Sequence, residues 1–152
     1  MKRAILLSLA AVMWLFLFPA TLPFNGADNC AQTSNQYLIR ECVNTFDPAL
    51  IESTSAGYQY WFVDRKLAGG KTVKLSVVRP HLMTHPEHSH AEDEFFFVLQ
   101  GEARFFLGSE SQIVGPNTCL YCPSNVEHGL SNVGDTELRY LVIKKYQPSR
   151  GE

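Results

Sequence analysis

What the sequence lacks narrows its function first. No run of Lys or Arg is long enough to make a basic patch, and the formal net charge is -2 over 152 residues. A nucleic-acid surface needs clustered cations, so that partner is excluded. There are no internal repeats and no low-complexity linker. Past the first twenty positions no apolar stretch approaches the roughly 20 residues that a membrane-spanning helix needs. From residue 57 onward no apolar positions recur at the spacing of an amphipathic helix. Cysteine is scarce, four in all.

The apolar residues are concentrated at the start. Lys2 and Arg3 precede a run from Ala4 to Phe18, interrupted by Ser8 and closed by Pro19-Ala20. That is the layout of a secretory signal peptide, and it is short for a bilayer span. A cut after Ala20 or Ala27 fits small-residue cleavage only in part, because Phe18 and Asn25 stand at the third position back. The expectation is an exported protein, periplasmic or extracellular, with no stable membrane insertion once the leader is removed. The expected layout is a signal peptide over 1–27, an N-terminal segment over 28–56 and the main domain over 57–147.

Export makes the cysteines readable. In an oxidising compartment Cys30 and Cys42 can close a short loop, which stabilises by roughly 3 kcal/mol in the loop-entropy picture. Cys119-Leu-Tyr-Cys122 lies in an apparent strand. Residues three apart in a strand point to opposite faces, which argues against a local disulfide or a shared metal there. Pairing across the two groups stays open, since four cysteines allow three connectivities.

Downstream the pattern is short β-like runs cut by turn residues. Tyr58–Val63, Thr72–Val78, Ala103–Leu107, Ile113-Val114, Cys119–Cys122, Val126–Leu130 and Leu138–Ile143 read as strands. His88 to Leu99 reads as extended, and Asn132 to Asp135 as a turn. One helical turn is predicted near Asp47-Pro48. Many short strands with frequent Gly, Pro and Asn turns predict an all-β sandwich or barrel. Phe95-Phe-Phe-Val-Leu99 is apolar on both faces, so each face needs cover. Cover for the second face comes from the N-terminal segment or from a second copy, and a homodimer is expected.

The chemistry centres on His88-Ser-His90-Ala-Glu-Asp-Glu94. In a strand residues two apart share a face, so His88, His90 and Glu94 can aim at one point. His128 arrives from a later strand. Three neutral imidazoles and a carboxylate suit a first-row divalent ion, Fe or Mn first, with Zn, Ni or Co as alternatives. A solvated His-rich loop is the plainer reading, but the apolar run after Glu94 places these side chains at the mouth of a buried strand.

These residues also carry a resemblance. His88-Ser-His90, three residues, Glu94, six residues, Gly101 is similar to the first motif of the cupin superfamily. Pro123-Ser-Asn125-Val-Glu-His128, three residues, Asn132 is similar to its second. The likeness covers roughly residues 70–145 and points to a single-domain protein of the type-2 cupin kind. It implies a double-stranded β-helix, or jelly-roll barrel, with a metal held inside by His88, His90, Glu94 and His128. Three departures stand out: Leu82 and Asn125 where the motifs carry glycine, and a gap between Gly115 and Pro123 two residues longer than usual. Asn tolerates the left-handed conformation, so the second is mild.

Fold does not name chemistry. The leading expectation is a mononuclear oxidoreductase of the dioxygenase type on a small organic molecule, with Glu94 as ligand or base. The first alternative is a metal-dependent isomerase or lyase on a sugar-like or organic-acid substrate, with Tyr121 or Glu92 moving the proton. The second is a non-enzymatic metal or saccharide binding module, with Tyr58, Tyr60 and Trp61 as an aromatic platform.

Overall fold

The computed structural model describes residues 38–146. The leader reading and Cys30, with its closure onto Cys42, lie outside those residues. Among the described residues no helix is long and apolar enough to cross a membrane.

A single turn of helix, Ile39–Cys42, and a 3-10 turn, Pro48–Leu50, precede the strands. Asp47 caps the second by accepting from the Ala49 N–H at 2.9 Å, and Pro48 sits where its missing N–H costs nothing. The strands are β1 (Glu52–Thr54), β2 (Gly57–Val63), β3 (Lys71–Val78), β4 (Glu94–Gln100), β5 (Ala103–Leu107), β6 (Glu110–Val114), β7 (Thr118–Cys122), β8 (His128–Asn132) and β9 (Leu138–Lys145). The sheet therefore takes in part of the segment read as N-terminal.

Two antiparallel sheets form the molecule's core. One has the order β1-β2-β3-β9-β4-β7, the other β6-β5-β8. This is the all-β jelly roll that the motifs imply. Alternation decides which side chains go between the sheets. Phe96 and Val98 of β4, Leu120 and Cys122 of β7, Leu130 of β8 and Leu138, Tyr140 and Val142 of β9 are buried there. Cys119 is exposed while Cys122 is buried, and neither is bridged. Burial pushes the Cys122 thiol up to about 12, and the negative charge of Glu94 adds to it.

The outer face of the larger sheet is covered unevenly. Over β2 the Tyr60 hydroxyl donates to the Thr45 carbonyl at 2.9 Å, and Phe46 meets the Tyr60 ring edge-on at 4.9 Å. Over β4 the outward Phe95 and Leu99 stay exposed. Only one face of that doubly apolar strand is covered within the described residues.

Two readings are corrected. His88 to Leu99 is not one strand. His88 forms an isolated bridge with His128, the chain bends at Ala91 and Glu92, and β4 begins at Glu94. Period-two alternation therefore does not carry His88 and His90 into register with Glu94; a loop does. Asn132 ends β8 rather than opening a turn. Turn chemistry holds elsewhere. Gly101 sits at φ 88°, and a Cβ there would stand 2.7 Å from the Glu137 carbonyl oxygen. Asn125 takes φ 61°, as an Asn standing for Gly should. Near Leu82 the left-handed residue is its neighbour His81, at φ 58°.

Candidate metal centre

The four side chains come from three places. Glu94 opens β4 in the larger sheet, His128 opens β8 in the smaller one, and His88 and His90 lie on the loop between β3 and β4. Backbone bonds lock that loop to β8. The His88 N–H donates to the His128 carbonyl at 3.0 Å, and the His128 N–H returns to the His88 carbonyl at 2.9 Å. The Asn125 N–H donates to the His90 carbonyl at 2.7 Å, and the Asp93 carboxylate accepts from the Ser124 N–H at 2.9 Å. One donor atom from each of His88, His90, Glu94 and His128 lies within 4.8 Å of the others. A cluster of this composition is capable of coordinating a metal ion.

The protonation pattern tests whether a cation fits. Nδ1 of His90 lies 2.8 Å from the Glu92 carbonyl oxygen, and Nδ1 of His128 lies 2.8 Å from the Val126 carbonyl oxygen. A carbonyl only accepts, so each Nδ1 carries the proton. In the neutral ring Nε2 then presents a lone pair. Both Nε2 atoms face the same carboxylate oxygen, Oε2 of Glu94, at 3.4 Å and 3.2 Å. A carboxylate oxygen set between two Nε2 atoms calls for positive charge there, supplied by a metal ion on the neutral rings or by protons on charged ones. A carbonyl holding the far nitrogen is also the usual way a metal-binding His is oriented. His88 adds to the fit: burial, with repulsion from neighbouring histidines, lowers its pKa and favours the neutral, ligating form.

A small cavity of about 80 Å³ adjoins the cluster, and His88, Glu94, Lys74, Ser76, Thr84 and Tyr140 are among its walls. That is room for two or three water-sized groups, at roughly 30 Å³ each. Burial holds the Tyr140 phenol above its ordinary range, while the Thr84 and Ser76 hydroxyls pull the other way and Glu94 adds to the rise. The phenol is thus a neutral proton donor at physiological pH.

Residues 74–144 match the family described as Cupin domain. Residues 74–144 are thus similar in sequence to a cupin domain, and the two sheets have the cupin-type jelly-roll fold. A protein of Streptomyces coelicolor, named as uncharacterised, is 33% identical over 60 residues, which are 40% of this chain and 56% of that protein. The H2HPP isomerase of Bacillus subtilis is 31% identical over 99 residues, which are 64% of this chain and 40% of the isomerase. The chain thus spans well under two thirds of either relative. Among solved structures, the plu4264 protein of Photorhabdus luminescens has a TM-score of 0.59 at 21% identity, over 69% of this chain and 88% of that one. That likeness shows the fold alone.

Within this jelly roll the four residues of the two motifs come together, and Tyr121 does not join them. It lies on the outer face of β7, half-exposed, stacked on Phe95 at 5.0 Å and donating to Asp93 at 3.2 Å. Alternation puts its neighbours Leu120 and Cys122 inside and sends Tyr121 outside. Glu92 stays near, its carboxylate 3.8 Å from His90 Nδ1 and 3.7 Å from the Lys144 ammonium. Alternation also splits the aromatic platform. Tyr60 is buried on the outer side with Tyr58 packed against it, while Trp61 lies 5.1 Å from the Lys74 ammonium. Lys74, Ser76, Thr84 and Tyr140 were missed. Lys74 and Tyr140 alternate into the interior of β3 and β9, both read as strands, so strand parity was the available signal. Which parity faces inward needed the fold.

Proposed function

We propose that this cupin domain is the metal centre of an enzyme, with one divalent first-row ion on His88, His90, Glu94 and His128. The observation that carries this is the convergence of two imidazole Nε2 atoms on one Glu94 oxygen, with His88 completing the cluster. The substrate is a small organic molecule, and the reaction class with most support is proton-transfer chemistry of the isomerase or lyase kind. Bound there, the metal would polarise a carbonyl or enolate oxygen. Tyr140 holds a proton at its phenol oxygen beside the cavity, and Glu94 offers a carboxylate that can take one up. Phe96, Leu130 and Tyr140 close the inner side of the cavity. The isomerase relative supports this class without defining the substrate.

Dioxygenase chemistry is the second reading. It is favoured by the donor set alone, three imidazoles and one carboxylate, which suits Fe or Mn. A saccharide-binding role has less support, because an interior of about 80 Å³ suits a carboxylate-sized group better than a sugar ring.

Elemental analysis of the full chain purified without chelator tests the metal. The expected result is about one first-row ion per chain; no metal, with none taken up on soaking, overturns the reading. Turnover is then tested without oxygen, using pyruvate as a minimal carbon acid in deuterated water. Metal-dependent exchange of its methyl protons, slowed at least about a hundredfold by Tyr140→Phe, is expected. Consumption only in the presence of oxygen would transfer the assignment to the dioxygenase class.

The exposed Phe95, Leu99, Tyr121 and Ile143 on the outer face of the larger sheet support association with a second copy. Sedimentation equilibrium should give about twice the 17.1 kDa of one chain; a monomer at all concentrations would remove that part. Export stands on the leader pattern of residues 1–27 and is tested by the N-terminal mass of the native protein.

A further inference from the structure

Three polar groups around the cavity lack the partners that buried groups normally have. Among the described residues two buried side-chain polar atoms make no well-aligned hydrogen bond: Thr84 Oγ1, whose hydroxyl has only the Tyr140 phenol beside it, and His88 Nδ1. Both belong to walls of the same cavity. Native proteins leave few such atoms unpaired, and those they leave point to a missing ligand or water. The third group is the Lys74 ammonium. Lys74 sits on β3 opposite Trp61 on one side and Val142 on the other. It is half-buried, yet among the described residues no carboxylate lies within 4.0 Å of it. Lys144, by contrast, has Glu92 at 3.7 Å. The Trp61 ring, 5.1 Å from the ammonium, offsets part of its desolvation but supplies no counter-charge.

The charges that face Lys74 are Glu94, Lys144 and Glu52. Glu52 is already engaged, accepting from Gln59 Nε2 at 2.7 Å and from Trp61 Nε1 at 3.2 Å. Glu94 is turned to the histidines. The space left holds a group of two or three water-sized units. A planar carboxylate fits that volume, and its two oxygens match one ammonium and one hydroxyl donor. A tetrahedral phosphate is larger and carries more charge than one lysine balances.

We propose that Lys74 determines the substrate class of this site by binding the carboxylate of a small organic acid, with Thr84 as the second donor. This rests on the proposed metal centre only for where the chemistry occurs; the anion contact itself is testable without turnover.

The experiment uses the zinc-loaded full chain, labelled with nitrogen-15 and titrated with sodium formate and, separately, with neutral formamide. Formate should shift the amides of Ser76, Thr84 and Tyr140 saturably, and formamide should not. Lys74→Met should weaken formate binding at least about tenfold with zinc content unchanged, since a charge-assisted contact is lost. Lys74→Arg should restore most of it. Should Lys74→Met fail to fold, Lys74→Gln carries the same comparison. A folded, zinc-bearing variant that binds formate as tightly as the wild type overturns the proposal, as would equal binding of formamide. Absence of zinc uptake with Lys74-dependent formate binding intact would sink the metal reading and leave this one standing.

Discussion

His128→Ala should strip the site of its metal while the jelly roll still forms. His128 is fully buried, at 0% exposure, and it is the one donor contributed by the smaller sheet. Loss of a mere outer partner of a metal ligand costs about 10–100-fold in affinity, and loss of a ligand costs more. Metal content after dialysis should therefore fall from about one per chain to less than about a tenth, read by elemental analysis. A second readout is independent of activity. A tightly bound ion stabilises the native state by about 4 kcal/mol when its free concentration is 1,000 times Kd. The wild type should show a metal-dependent rise in Tm that His128→Ala lacks. Unchanged stoichiometry in a folded variant would refute the ligand assignment, and with it the proposed function.

Asn132→Ala should be the most damaging single change outside the cluster. Asn132 is 2% exposed and uses its whole amide. Its Nδ2 donates to the Val78 carbonyl at 2.9 Å and to the Thr136 carbonyl at 2.7 Å. Its Oδ1 accepts from the Gly134 N–H at 3.0 Å. These bonds tie the end of β8 to the end of β3 and set the turn that leads into β9. Removing the amide strands two carbonyls and an N–H, at about 1–3 kcal/mol for each one left buried. A loss of about 3 kcal/mol is expected, or roughly 15 °C in Tm, measured by thermal and urea unfolding. Metal content per folded chain should not change. A loss below about 1 kcal/mol would mean that the turn is held by something else.

The two predictions concern neighbouring positions of one motif with different work. His128 and Asn132, at the two ends of β8, both lie on the face that it turns inward, yet one meets the cluster and the other meets backbone. Nothing in their spacing distinguishes these roles. The first motif shows the same limit. His88, His90 and Glu94 stand at even positions, and strand parity is sufficient to suggest convergence. The fold reaches that convergence by another route, through the His88–His128 bridge, the bend at Ala91-Glu92 and the lacing of Asp93 and Asn125 across the two loops.

The all-β class, most strand positions, the turns at Gly101 and Asn125 and the four side chains of the cluster are legible in the chain without any tertiary contact. These are local properties: alternation, backbone sterics and donor chemistry are written in short stretches of chain. Which parity of each strand faces inward follows from the packing of the two sheets. That choice depends on what the other sheet presents, so it sent Tyr121 to the surface, divided Tyr58 and Tyr60 from Trp61, and brought Lys74, Thr84 and Tyr140 to the wall of one cavity. The pairing of β3 with β9 joins residues about seventy positions apart, and no local pattern records a contact made at that distance.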